Sequence, residues 1–427
     1  MSEPIFIARQ DTLEQEILPA HWLAQYKLFG EESYTFQDKE IWKKLCMSSA
    51  AANDRDMHAE ALEEMLTTFS AEHTGKWMLT VYGMDAAVLE GLATMAAIAA
   101  NGTAMGAVVD NALLMHAIAN SETAMQRIAN SQTAMQRVAN NATAMDAIGR
   151  SRIARDAVQA SPYYNSCIKE NDMAIAKLAV ALANLESAGY SGMAGVAADS
   201  TAMTAVAASA TAMTAVAASS VARNAISASP YYDEKIKEND MAIAKLVVGF
   251  ANLESARYSG CAGMAADSTA MTAVAASSTA MTAVAASGVA LKAIAQAYKK
   301  TANMLQFLKA VNASDTLVKR IYSTLTNATA LFGAAQLGSQ DSVENANSWA
   351  TTSAAPNAFL ACACGYYGSS SDSVSVTYNG TVIAQKKTGT KQPGSVASTN
   401  VNAITMAPST FTENGDGYLA VQKFTAK

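Results

Sequence analysis

The chain has 427 residues, a formal net charge of −6 and a pI near 5.4. Only 15% of its residues are charged and 7% aromatic, while 51% are hydrophobic, a share inflated by alanine. With no basic stripe interleaved with aromatics, this balance argues against a nucleic-acid binder. The five cysteines (Cys46, Cys167, Cys261, Cys362 and Cys364) are scattered and odd in number, which does not suggest a disulfide framework. The Cys362-Ala-Cys364 pair lacks the two further ligands of a structural zinc site.

Residues 1–80 carry most of the tryptophan and read as a helical head or attachment region. They open with MSEPIFIARQD, which has neither the basic nor the apolar stretch of a signal peptide. A first helix is predicted around Asp11–Leu18, and two more in ESYTFQDKEIWKKLCMSS and AANDRDMHAEALEEMLTTFSAEHTG. In the last of these Met57, Leu62, Met65, Leu66 and Phe69 share a face, and Gly75 is a plausible stop.

Residues 81–160 hold the first array of ten-residue repeats. From Asn101 they read NGTAMGAVVD, NALLMHAIAN, SETAMQRIAN, SQTAMQRVAN, NATAMDAIGR and SRIARDAVQA. The fifth position is Met from Met95 to Met145, and the eighth is Ile or Val from Ile98 to Ile148. These positions lie three apart, on one helical face, with alanine usual at the fourth and seventh. Asn or Ser at the first position suits an N-cap. Each decad is therefore predicted to be a short helix followed by a polar turn. A helix this short must bury its Met/Val stripe against neighbouring repeats, as in a solenoid. The Ala-rich runs are interrupted too often by Asn, Ser, Asp or Lys to read as membrane spans.

Residues 161–228 begin with SPYYNSCIKENDMAIAKLAVALANLESAGYSGMAGVAA and close with further decads. Residues 229–296 repeat that block, with Pro162 matched by Pro230, 68 positions on. Its insert is predicted to form a longer helix over 172–187, with Ile175, Leu178, Leu182 and Leu185 on one face and Asn171 or Asp172 as cap. The decad before each SPYY replaces Met by Arg155 or Arg223, read as an exposed capping residue of an array end. Residues 297–336 predict two ordinary helices split near 312–315, and 337–356 a polar linker.

Residues 357–427 switch to period two. Val374, Val376 and Tyr378 alternate up to Asn379-Gly380, a strong hairpin signal, and Leu419, Val421 and Phe424 alternate near the end. The fold class is therefore mainly α, a solenoid-like array of short helices, with a small C-terminal antiparallel β domain, read as a sandwich. At about seventy residues, that domain is expected to lean on symmetry mates.

No phosphate loop, nucleophile elbow or His-Glu-x-x-His motif occurs, so the reading is no enzyme, no cofactor and no metal site. His58 and Glu60 lie two apart, unsuited to one metal, and His116 is expected to face solvent. Candidate partner contacts are Tyr366, Tyr367, Asn379, Asn414 and Asp416, because Tyr offers a flat face with a hydroxyl and Asn and Asp supply hydrogen bonds. Tyr378 and Tyr418 are expected to be strand core instead.

Decads of the form S-x-T-A-M-x-A-V-A-x, as at 209–218 and 277–286, resemble repeats in structural proteins of tailed bacteriophages, particularly tail fibres and virion appendages. The resemblance covers the repeat region, roughly half the chain. It implies a virion protein assembled in the host cytoplasm, with the N-terminal region docking on other virion proteins. The β domain would then contact a host surface glycan or protein, and the protein would be a homo-oligomer, a trimer by preference. A head or neck decoration protein, a bacterial adhesin and a glycan-degrading appendage are the alternatives. Nucleic-acid binding and membrane insertion are not expected.

Overall fold

The computed structural model describes residues 58–59, 62–63, 66–67, 74–297, 301–340, 348–351, 357–366, 373–387, 390–391, 395–406, 409–414 and 417–427. Two compact units divide at residues 196 and 197. The helices expected at 11–18 and within 33–50 lie outside the described residues, as do Met57, Met65 and Phe69.

The first unit carries α1 (Thr74–Tyr82), α2 (Ala86–Leu89), α3 (Met95–Ala100), α4 (Gly102–Asp110), α5 (Ala112–Asn120), α6 (Glu122–Ala129), α7 (Gln132–Ala139), α8 (Ala142–Arg150), α9 (Arg152–Ala160), α10 (Tyr164–Cys167) and α11 (Asp172–Leu182). Each decad is one helix, as its pattern predicts, and one or two polar residues make each break. Ser121 shows how. Its backbone is extended, its N–H donates to Ile118 O at 3.1 Å, and its Oγ accepts from Ala124 N at 3.1 Å. A single residue thus closes one helix and caps the next. The chain turns by 101° between α4 and α5.

Turns of this size bring every fourth helix back over the first. Accordingly α4 packs on α7, α5 on α8 and α6 on α9. The capping hydroxyl has a second task here. Ser131 Oγ donates to Ala99 O and Ser151 Oγ to Ala119 O, both at 2.6 Å and both 32 residues back. Each serine therefore satisfies an amide at the start of its own helix and a carbonyl at the end of the helix one coil earlier. Met105, Met115, Met125, Met135 and Met145 are 0% exposed, as are Val108, Ile118, Ile128, Val138 and Ile148. The small residues that the packing requires stand at the fourth and ninth positions, such as Ala124 and Ala129; Arg127 and Arg137 at the seventh are exposed.

Ser121 has no coil of its own kind to bond. Its Oγ donates instead to Glu63 Oε2 at 2.5 Å, and Thr123 donates to the same carboxylate from N at 2.9 Å and from Oγ1 at 2.6 Å. Burial pushes the Glu63 carboxyl up, but these three bonds outweigh it and hold the group below its ordinary value. Gly75 is not a helix stop. It sits in the first turn of α1, where a Cβ would lie 2.1 Å from Leu92 O, so the glycine marks a close backbone approach.

The inserts depart from expectation at one end. α11 stops at Leu182, short of Leu185, because Asn184 turns left-handed at φ +59° and Leu185 N bonds back to Val180 O at 3.1 Å. Asp172 at its start reaches Met193 N at 2.9 Å; a Cβ on Gly192 would lie 2.1 Å from Asp172 Oδ2. The Tyr-Ser-Gly turn is therefore a carboxylate cradle. Arg155 is half-buried rather than an exposed end. Its guanidinium donates to Gly149 O, six residues back, and so caps α8 where cationic charge suits the helix dipole.

The second unit holds α13 (Ser200–Ala208), α14 (Ala210–Ala218), α15 (Ser220–Ser227), α16 (Tyr232–Lys235), α17 (Asp240–Phe250), α18 (Cys261–Ala266), α19 (Ser268–Ala276), α20 (Ser278–Ala286), α21 (Gly288–Gln296), α22 (Thr301–Asn312) and α23 (Asp315–Asn327); α12 (Met193–Ala198) spans the division. The same spacing holds, with α14 on α17, α17 on α20 and α19 on α22. Arg223 donates to Ala217 O at 2.6 Å and lies 5.7 Å from the Phe250 ring centre.

The C-terminal strands form two sheets. One orders β1 (Phe332–Gln340), β9 (Gly417–Ala426), β3 (Ala358–Tyr366) and β6 (Thr390–Lys391), with β7 (Ala403–Met406) also on β3. The other orders β2 (Ser348–Thr351), β8 (Ser409–Asn414), β4 (Ser373–Tyr378) and β5 (Thr381–Lys387). Pairing is antiparallel except for the two-residue contact of β3 with β6. The stretch read as a linker holds the end of β1 and all of β2, so the sheets begin at Phe332. Nor is this β region a separate body. Phe307, Val311, Ile321 and Leu325 of α22 and α23 share one core with Phe359, Ile404 and Phe424. Asn312, 5% exposed, substitutes for a strand: its Nδ2 donates to Ile404 O at 2.7 Å and its Oδ1 accepts from Ile404 N at 3.0 Å. The chain's own helices α22 and α23 thus cover part of the β region. Among the described residues no single helix is long and apolar enough to cross a membrane.

Candidate functional site

Strand register decides which candidate contacts come together. β3 ends at Tyr366, paired with Gly417 at the start of β9. β8 ends at Asn414, three residues before Gly417, a span of at most about 11 Å of chain. Tyr366 and Asn414 thus end strands on one side of the β region, opposite the side where Phe332 enters from α23. Tyr367 and Asp416 lie outside the described residues, although each is adjacent in sequence to this end. Asn379 belongs elsewhere. It forms the β4–β5 turn with Gly380, at φ +47° and +76°, exposed and at the other end of β4 from Ser373, the partner of Asn414. Six residues of strand, ~17 Å, separate the two asparagines. Tyr378 is 1% exposed and is core, as its alternation predicts.

Among the described residues no cluster of side chains with metal-ligand spacing occurs. His58 is 0% exposed with its Nδ1 3.2 Å from Tyr82 Oη. His116 is half-buried, not solvent-facing, and meets Asn120 Nδ2 at 3.2 Å. Cys167 and Cys261 are buried free thiols, Cys362 is buried as well, and burial raises the Cys261 thiol well above its usual range.

A second concave place was not foreseen. It is a cleft of about 780 Å³ between the start of α21, one face of α23 and the residues before α17. Arg320, Ser323 and Asn327 line one wall, and Lys237 and Glu238 the other. Glu238 Oε1 accepts from Gly288 N at 3.0 Å and Oε2 from Val289 N at 3.2 Å, which caps α21 from a distant stretch. Tyr232 nearby is raised to about 12 by burial, with Asp233 and Glu238 adding to it. These residues come from three segments, 237–238, 286–289 and 320–331, so no local pattern joins them. The one sequence signal was the recurrence of Lys-Glu-Asn-Asp at 169–172 and 237–240.

No protein-family model matches the chain, and no curated protein matches it.

Proposed function

We propose that the chain is a structural component of a tailed-phage virion, a tail fibre or appendage, with its N-terminal region docked on the particle and its β region contacting host or partner. The observation that supports this most is the decad array. Each repeat is stabilised by the repeats one coil before and after it, through buried Met and Val columns and serine hydroxyls bonded to carbonyls 32 residues back. Such an array builds length from short, exchangeable sequence, while its outer positions tolerate Thr, Gln or Arg. The strand ends at Tyr366 and Asn414, on one side of the β region, suit partner contact. Assembly as a homotrimer belongs to the same proposal, since fibres are extended by symmetry.

Electron microscopy of particles carrying a gold label on exposed Lys427 tests the reading. Label on an appendage supports it. Label on the head shell, or particles that lack the chain, contradicts it. Light scattering that finds a monomer at micromolar concentration rejects the trimer.

A further inference from the structure

The cleft beside α23 has a charge pattern that its own structure does not use up. Glu238, the one acidic wall residue among the described residues, is committed to two backbone amides of α21. Lys237 keeps an ion pair with Asp233 at 3.5 Å, whose side chain is 79% exposed and therefore contributes little. Arg320 is exposed, and among the described residues it makes no ion pair. The guanidinium is thus the uncompensated charge of the cleft.

The rest of the lining sorts into two kinds. Ala286, Val289, Ala328 and Leu331 give an apolar floor. Arg320, Ser323 and Asn327 stand on one face of α23, at successive turns of ~5.4 Å, close to the length of one pyranose ring. Asn327 Nδ2 and Ser323 Oγ are 3.4 Å apart, and both residues are exposed. Their donors and acceptors face the same space as Arg320. A volume near 780 Å³ is in the range of small-ligand sites.

We propose that this cleft binds a carboxylated sugar, a hexuronic acid unit of a larger glycan. Its carboxylate sits on the planar fork of Arg320, with Lys237 as the second cation. Its hydroxyls meet Ser323 and Asn327, and its C–H face lies on Val289 and Leu331. A neutral sugar leaves the arginine unanswered, and a bare anion leaves the floor and the hydroxyl partners unused. The inference deepens the host-contact reading by naming a ligand class, and it places that contact beside α23 rather than at the strand ends near Tyr366.

The test is calorimetric titration of the full chain with oligomers of glucuronic or galacturonic acid, alongside neutral glucose oligomers and inorganic phosphate. Saturable binding of one uronic oligomer, weakened by salt and absent for the neutral sugar, is the expected result. Arg320→Gln should bind at least about tenfold more weakly, since a charge-assisted hydrogen bond is worth roughly that factor. Lys319→Gln, next to Arg320 but outside the lining, should stay within about twofold, and both variants should melt with the parent because both sites are exposed. No binding of either uronic oligomer, equal binding of phosphate or neutral sugar, or undiminished binding by Arg320→Gln overturns the proposal. Binding by the purified chain is independent of where the chain resides on a particle, so the two readings fail separately.

Discussion

The two 68-residue blocks solve the same packing problem with different chemistry. In the first, Lys177 is 2% exposed, and its Nζ lies 2.7 Å from Asp146 Oδ1 and 3.1 Å from Ser187 O. In the second, Lys245 is equally buried, but Thr214 stands where the aspartate would be, and Nζ donates to Thr214 Oγ1 and Ser255 O, each at 2.9 Å. Burial without a carboxylate depresses the Lys245 pKa. The helix contacts are exchanged in the same way. Gly149 meets Ala181 of α11 and Ala217 meets Gly249 of α17, so each contact keeps one glycine where two helices nearly touch. What the coil requires is therefore a filled volume and satisfied polar atoms, and several residue pairs supply both.

The largest expected contrast concerns the lysines. Lys177→Met strands Asp146, only 20% exposed, and should cost its unit about 3 kcal/mol. Lys245→Met strands no charge and should cost about 1 kcal/mol or less. Hydrogen exchange of the α11 and α17 amides reads the two separately; equal losses would show that Asp146 contributes nothing.

The glycine exchange comes next. A Cβ on Gly249 would lie 2.3 Å from the backbone oxygen of Ala217, which also accepts from Arg223. On Gly149 it would meet only side-chain atoms, at 3.1 Å. Gly249→Ala should thus cost about 2–3 kcal/mol and Gly149→Ala about 1 kcal/mol, by denaturant titration. The reverse order would mean that the coils are more loosely stacked than described.

Thr214→Asp gives Lys245 the carboxylate that Lys177 has and should stabilise its unit by roughly 1 kcal/mol near neutral pH. Its pH profile sharpens the point. Below the depressed folded pKa of Lys245 both states are protonated and burial costs its full penalty. As pH rises toward the unfolded value of 10.5, the unfolded chain holds more protons and the parent gains stability. The advantage of Thr214→Asp should shrink over that window, and a constant advantage would separate it from Lys245.

The smallest effect is at the array's start. Glu63→Gln keeps the shape but weakens three bonds, for a loss of under about 1 kcal/mol because the site is only partly buried. Since the Glu63 pKa is lowered, its contribution is present above the unfolded carboxyl value and fades as pH falls through the folded one. Parent and variant melting curves should converge in acid.

The sequence made the local level of this fold legible. Ten-residue spacing located the helices, Ser or Asn at position one located the breaks, and Met with Ile or Val located the core. It could not reveal how many helices complete a coil, because that depends on the bend at the breaks, which is 101° between α4 and α5, 100° between α13 and α14 and 104° between α19 and α20. The partner of Lys177, 31 residues back, was hidden with it, and so were the contacts set by the bends themselves, the reach of Asp172 and the carbonyls held by Arg155 and Arg223. The β1 strand was missed because FGAAQLGSQ is small and polar, and it is held by pairing to β9 rather than by its own alternation. Of the candidate contacts, register joined Tyr366 with Asn414 and set Asn379 apart, and the Arg320 cleft draws on stretches too distant to read together.

The central claim is that residues one coil apart touch. Asp110 and Asn141 test it on the surface, where Oδ1 and Nδ2 are 2.7 Å apart across 31 residues. The measurement is cross-linking of Asp110→Cys with Asn141→Cys by a short thiol-bridging reagent, located by peptide mass mapping, with Asp110→Cys and Arg152→Cys as control. Rapid, near-complete bridging of the first pair and little of the second is the predicted result. Equal or absent bridging of the first pair would contradict a coil of three helices.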